Sequence, residues 1–188
     1  MYQNPFYLLD LLHALQESLT FRNPQFPFSS DDCKREPKEL PRLTLADSTL
    51  FRHNDTSFIL IFGGYDVDDE ETSGKLIVVN LRHLEWWYQT IEGGPVEGRI
   101  NPTIVTIDQK LYIFGGYRHF ERDGAPHASY SIAALADGTT WRWEARDVPY
   151  PQNVPKGSIF GKAEPIYDGG KILLLPWRTT SAANKDVR

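Results

Sequence analysis

The amino-acid sequence predicts an all-β chain built from a repeated four-stranded unit, and three observations carry that reading. Runs of about 5 to 7 residues dominated by Val, Ile, Tyr and Trp follow one another from Phe58 onward, bounded by Gly, Pro, Asn and Asp. The run Ile61-Phe62-Gly63-Gly64-Tyr65 returns as Ile113-Phe114-Gly115-Gly116-Tyr117 after 52 residues, a period typical of stacked repeats. A tryptophan stands six residues past a leucine in both copies, Leu81 to Trp87 and Leu135 to Trp141.

The expected strands are Phe58 to Phe62, Lys75 to Asn80, Trp86 to Ile91, Thr103 to Ile107, Lys110 to Phe114, Tyr130 to Leu135, Lys162 to Tyr167 and Lys171 to Leu175. No helical period falls between them, which argues against parallel βαβ units. Upstream, Leu8, Leu11, Leu12, Leu15 and Leu19 recur every three or four residues and predict an amphipathic docking helix. Thr20 to Pro41 is rich in Pro, Ser and Asp without periodicity and reads as a linker. The organisation is therefore a helix and linker over 1–41, a repeat region over 42–178 (units 42–98, 99–156 and 157–178) and a tail over 179–188.

These residues resemble the kelch repeat, in which a hydrophobic strand closes on Gly-Gly, a third strand follows, a tryptophan stands in the fourth, and Pro and Arg precede the next unit. Pro95 to Arg99 fits the last element, and Pro41-Arg42 stands in the corresponding place before the first unit. The resemblance implies an incomplete kelch-type β-propeller of about two and a half antiparallel blades. Gly63, Gly64, Gly115 and Gly116 would let backbones pack closely. Trp87 and Trp141 would fill the space between blades, with Arg99 part of the same framework. Trp86, Trp143 and Trp177 have no assigned place. The chain departs from the family at Val79 and Ala133, where a tyrosine is usual, and at Pro176-Trp177, where the third unit lacks its diglycine.

Propellers close with four to eight blades, and four at this period need about 210 residues. An arc of two and a half blades should leave apolar faces open at both ends, because each repeat buries its faces only against neighbours. Self-association through those faces is one expectation.

A net charge of −5 over 188 residues gives no basic footprint for phosphates, which disfavours nucleic acid and anionic membrane as partners. The single cysteine, Cys33, supports neither a disulfide framework nor a cysteine zinc site and points to a reducing compartment, the cytoplasm first and the nucleus second. The N-terminal apolar stretch is broken by polar residues and lacks a basic leader, so it does not read as a signal peptide. Asn54-Asp55-Thr56 matches a glycosylation acceptor, which has no consequence without secretion.

Asp66-Val67-Asp68-Asp69-Glu70-Glu71 follows the first diglycine and should form a loop between the second and third strands. Its carboxylates suit a hard cation, but the spacing lacks the EF-hand glycine and terminal glutamate, and a solvated acidic loop is the better reading. The equivalent loop, Arg118-His119-Phe120-Glu121-Arg122-Asp123, is mixed in charge. Asp66, Asp68, Asp69, Glu70, Arg118, His119, Phe120 and Arg122 together are the expected partner-binding face, since rigid scaffolds carry function on loops. The five histidines are dispersed without metal-ligand spacing, Ser158 misses the nucleophile-elbow pattern by one residue, and no phosphate-binding glycine loop is present.

The resemblance implies a non-catalytic protein-interaction scaffold that needs no metal or cofactor. A remnant without independent activity is the alternative. A copper oxidase like galactose oxidase ranks lower, because Cys33 lies outside the repeats and the tyrosine and histidine ligands have no counterpart.

Overall fold

A computed structural model of the chain describes residues 20–21, 40–118, 129–136, 138, 140–152, 158–166 and 171–179. The expected docking helix lies outside the described residues, as does the expected 179–188 tail except for Thr179, which ends a strand. In chain order the strands are β1 (Thr20–Phe21), β2 (Leu43–Thr44), β3 (Asp47–His53), β4 (Thr56–Phe62), β5 (Tyr65–Asp66), β6 (Glu71–Thr72), β7 (Leu76–Asn80) and β8 (Glu85–Gln89). Then follow β9 (Ile91–Glu92), β10 (Thr103–Ile107), β11 (Lys110–Phe114), β12 (Ser129–Ala136), β13 (Thr140–Pro149), β14 (Ser158–Ile166) and β15 (Lys171–Thr179). Among the described residues the fold is all-β, and no helix is long and apolar enough to cross a membrane.

The first sheet runs β3-β4-β7-β8 through antiparallel pairs, and the second runs β10-β11-β12-β13 in the same way. Strands β14 and β15 form a third, two-stranded hairpin. Each four-stranded sheet takes a two-residue parallel addition on its last strand, β1 on β8 and β9 on β13. The strand β3 is polar enough, as Asp47-Ser48-Thr49-Leu50-Phe51-Arg52-His53, to escape a search for apolar runs. It is set by the hairpin turn after it, where Asn54 and Asp55 have φ of +45° and +58°. Two central residues with positive φ make the turn whose twist matches paired strands. Asp108 and Gln109 repeat it between β10 and β11, at +47° and +63°.

The three units stack face to face. Each sheet has an N-side toward the unit before it and a C-side toward the unit after it. Strand β4 is apolar throughout Phe58 to Phe62 because both its faces are covered. Leu60 and Phe62 on its C-side join Phe51, Leu76 and Val78, and meet Ile104, Leu111, Ile113, Ala133 and Trp141 on the second sheet's N-side. The second sheet's C-side, with Val105, Phe114, Tyr112 and Tyr130, meets Ala163, Ile172 and Leu174 of the hairpin. The first sheet's N-side, expected to be open, is buried at Ile59, Ile61, Ile77, Val79 and Trp86, with Leu40 and Leu43 packed on it. The stretch assigned to the linker therefore contributes to the core from Leu40 onward.

Strand β10 lies beside both β3 and β14, and side chains fasten β3 to β10. Asp47 accepts the Ile104 N–H at 2.8 Å, Thr106 Oγ1 donates to the Leu50 carbonyl at 2.8 Å, and Gln109 Nε2 donates to the Arg52 carbonyl at 3.2 Å.

Two sequence equivalences resolve differently. Val79 pairs with Trp86 and Ala133 with Trp143, so these tryptophans share a register position. Trp87, opposite Val78, and Trp141, opposite Leu135, do not. Both enter the cluster between the sheets, but from opposing sides: Trp87 half-buried on the first sheet, Trp141 buried on the second. The six-residue spacing misleads because the β7–β8 and β12–β13 connections differ in length, and one residue of slip in a strand reverses the face. Likewise Ile100 bridges Tyr117 where Thr44 pairs with Tyr65, which puts Leu43, and not Arg42, at the position of Arg99.

Arg99 joins the first two sheets. Its carbonyl accepts the Gly64 N–H at 2.8 Å and its own N–H donates to the Ser73 carbonyl at 3.2 Å, both in the first unit. Its side chain, 0% exposed, crosses into the second. There it donates to the Gly115 and Ser129 carbonyls, to the Ser129 and Ser131 hydroxyls, and to Asp147 Oδ1 at 2.5 Å. Gly63 lies directly beneath: a Cβ there would meet the Arg99 carbonyl at 2.5 Å, and φ is +76°. Glycine meets both demands at once.

Arg99→Ala should lower unfolding free energy by roughly 3 kcal/mol or more in urea titrations, because it strands Asp147 and removes a buried cation's partners. Adding Asp147→Ala to it should cost much less than the sum of the single changes, the non-additivity expected of contacting groups. Asp47 gives a pH test, because burial holds its pKa up at about 6, above the ordinary 3.8, despite the N–H groups of Ile104 and Ser48 that pull it down. The folded state then binds the proton more tightly than the unfolded state, so this group's contribution to stability falls as pH rises from 3.8 through about 6. Asp47→Asn should gain on the wild type by on the order of 2 kcal/mol between pH 4 and pH 7 in parallel denaturation curves.

Candidate functional site

The loop after the first diglycine is a small structure in its own right. Strand β5 pairs with β2 on one side and β6 on the other, and the turn Val67–Glu70 closes the β5–β6 hairpin. Asp66 is buried and spends its carboxylate inside the turn, where Oδ1 accepts the N–H groups of Asp68 and Asp69 at 3.0 and 3.3 Å. Side-chain oxygens of Asp commonly cap turns this way. Its partner-binding assignment thus falls on a carboxylate already used in the turn. Asp68, exposed, is gripped by Arg42, whose Nε donates to both carboxylate oxygens at 2.9 and 3.2 Å while Nη2 makes a further contact. Those hydrogen bonds hold the Asp68 carboxyl below its ordinary pKa. The Arg42 carbonyl also accepts the Val67 N–H at 3.0 Å, so one residue secures the turn by backbone and side chain.

Asp69 and Glu70 are exposed at the tip, with Glu70 at φ +54°. Glu71 stands 3.9 Å from Lys75. Lys75 lies over the Tyr88 ring, 5.4 Å from its centroid. Burial, with the nearby charges of Asp66 and Asp69, pushes the Tyr88 hydroxyl up to about 12. Strand β6 then reaches the second unit: Thr72 Oγ1 donates to the Arg118 carbonyl at 2.9 Å, and Arg118 Nε pairs with Glu97 at 3.0 Å. The acidic turn and the start of the equivalent second loop are therefore neighbours. His119, Phe120 and Arg122 of the expected face lie outside the described residues. Within 66–71 the carboxylates do not converge, and among the described residues no group of three or more His, Cys, Asp or Glu is placed to hold a metal ion.

The framework residues lie at the same end. Gly64 and Gly116, with φ of +86° and +95°, admit backbone where a Cβ would stand 2.8 Å from Thr44 O or 2.9 Å from Ile100 O. Gly115 contributes the carbonyl that accepts from Arg99.

A second polar cluster, not singled out by sequence, occupies the opposite end. The β3–β4 tip and Gln109 line a depression of about 640 Å³ with Arg52, His53, Asn54, Asp55, Thr56 and Ser57. The carbonyl of Arg52 accepts from Gln109 Nε2, which orients Gln109 Oε1 toward His53 Nδ1 at 2.8 Å. His53 Nε2 then faces Asn54 Nδ2 at 2.9 Å, so Nδ1 donates and Nε2 accepts. In the sequence, Asn54-Asp55-Thr56 stands out here only as a glycosylation acceptor pattern.

No family model matches the sequence, and no curated protein matches it. Among solved structures, one titled "Structure of YjhT" aligns at 15% identity with a TM-score of 0.46, over 64% of this chain and 41% of that one. The chain thus spans about two fifths of that structure's length.

Arg42→Ala should move the Asp68 carboxyl pKa back up toward the ordinary carboxylate range, read by NMR titration of the side-chain carbon. An unmoved value would show that Arg42 does not hold the turn in solution.

Proposed function

We propose that the stacked sheets are blades of a kelch-type β-propeller segment, and that the chain is a non-catalytic scaffold which binds a protein partner through the loops at its diglycine end. The observation that carries this reading is the junction of Thr72 with Arg118, which joins the hairpin that bears the exposed Asp69 and Glu70 to Arg118 of the next unit. Both loops spring from rigid sheets: the turn is clamped by Arg42, and the sheets beneath are joined by Arg99. Rigid presentation lowers the ordering cost of binding, which is why scaffolds place recognition on short loops between fixed strands. The antiparallel order of four strands, twice repeated and stacked face to face, is the arrangement of propeller blades. The exposed carboxylates favour a partner surface carrying Lys or Arg.

A photo-crosslinking residue placed in turn at Glu70, Arg118 and Asp55 tests the reading in cells. Adducts should form from Glu70 and Arg118 and not from Asp55 at the opposite end, and Asp69→Lys with Glu70→Lys should remove them. Equal labelling from all three positions, or adducts from Asp55 alone, sinks the assignment.

A further inference from the structure

A lysine of the chain itself marks a cation site beside the acidic turn. The Tyr88 ring stands edge-to-face against Trp86, with centroids 5.6 Å apart at 82°, and Trp86 is wholly buried. Lys75 Nζ lies over the Tyr88 ring, 5.4 Å from its centroid, and 3.9 Å from Glu71 Oε1. Asp69 acts on the same tyrosine, because its charge and that of Asp66 help to keep the hydroxyl protonated. A fixed aromatic face with carboxylates at its rim attracts ammonium and guanidinium groups.

The present occupant is loosely held. The side chains of Lys75 and Glu71 are 50% and 60% exposed, and their 3.9 Å separation is too long for a hydrogen bond. An exposed ion pair of this kind contributes little. The charges are also uneven. Asp66 is used within the turn and Asp68 by Arg42, which leaves Asp69, Glu70 and Glu71 as the exposed carboxylates, with Lys75 beside them. The site therefore favours cations and holds its own on a flexible stem.

We propose that the Tyr88 face, rimmed by Asp69 and Glu71, seats a Lys or Arg side chain of a partner, and that Lys75 fills this seat in the free chain. The partner's cation enters by displacing Lys75 to solvent, so the exchange keeps the carboxylates balanced throughout. A neutral or acidic side chain gains nothing from it, which makes the seat selective for basic segments. This inference rests on the scaffold reading for the existence of a partner and adds which of its side chains is anchored, and where.

Titration of the isotope-labelled full chain with acetyl-arginine amide tests it, with acetyl-citrulline amide as the neutral isostere. The readout is the backbone amide signals of residues 69–75. The arginine compound should shift them saturably and the citrulline compound should not. Lys75→Gln should tighten arginine binding by about threefold or more, because the internal competitor is then gone. Lys110→Gln, at the opposite end, should leave it unchanged. In the Lys75→Gln chain, Tyr88→Leu should weaken binding by about threefold or more, and so should Asp69→Asn with Glu71→Gln, each with an unchanged circular dichroism spectrum. Equal shifts from the two compounds, equal gains from Lys75→Gln and Lys110→Gln, or full binding after Tyr88→Leu overturns the seat. That failure leaves crosslinks from Glu70 and Arg118 intact, whereas loss of those crosslinks beside a working seat overturns the scaffold reading alone.

Discussion

Arg99 is where the stack is held in register, and the constraint comes from burying a cation. A guanidinium removed from water is costly unless its donors are met with good geometry. Here Nη1 and Nη2 are met by two carbonyls, two hydroxyls and the Asp147 carboxylate, all in the second unit, and Nε alone is buried without a hydrogen-bond partner among the described residues. The backbone of the same residue is bonded to Gly64 and Ser73 of the first. Neither sheet can shift against the other without breaking one of these sets. Ser131 shows how tightly they are drawn: its oxygen accepts from Arg99 and from the Asp147 N–H, and its hydroxyl turns to Asp147 Oδ1.

Around that point the apolar interface supplies most of the cohesion, since burial of alternating strand faces is the main favourable term in a stacked β fold. The edges of the sheets are managed by the chain itself. Short parallel additions cover the outer strands β8 and β13. Around the second addition, Arg142 pairs with Glu92 and Trp143 Nε1 donates to the Gly94 carbonyl at 2.8 Å. Covered edges discourage unwanted strand pairing. Leu50 on β3 and Leu173 on β15 are large apolar side chains that stay exposed.

The loops at the diglycine end and the depression at the turn end serve different parts. At the first, Asp66 and Arg42 spend their polar groups on holding the turn, and this leaves Asp69 and Glu70 facing solvent. At the second, Gln109 and His53 spend theirs on joining β10 to the β3–β4 tip. An acidic run in a sequence cannot tell a capping carboxylate from a free one, because the difference lies in backbone geometry three residues away.

Legible in the sequence are the strand-rich class, the two diglycine repeats and the place of the acidic run Asp66–Glu71 after the first diglycine, though not the short strands β5 and β6 at its two ends. Each depends on local chemistry: β-branched and aromatic runs, the conformational freedom of glycine, and the turn preference of Asp and Asn. It missed β3, whose residues are polar and whose strand state comes from pairing with β4. It also mispaired the tryptophans, because counting residues ignores connection length. Which side of each strand faces which neighbour, that Arg99 and not a tryptophan ties the sheets together, and that the centre of the first sheet's N-side is buried under Leu40 and Leu43 all follow from packing. Those outcomes depend on contacts between residues far apart in the chain, such as Arg99 with Asp147 and Asp47 with Ile104, which no local pattern encodes.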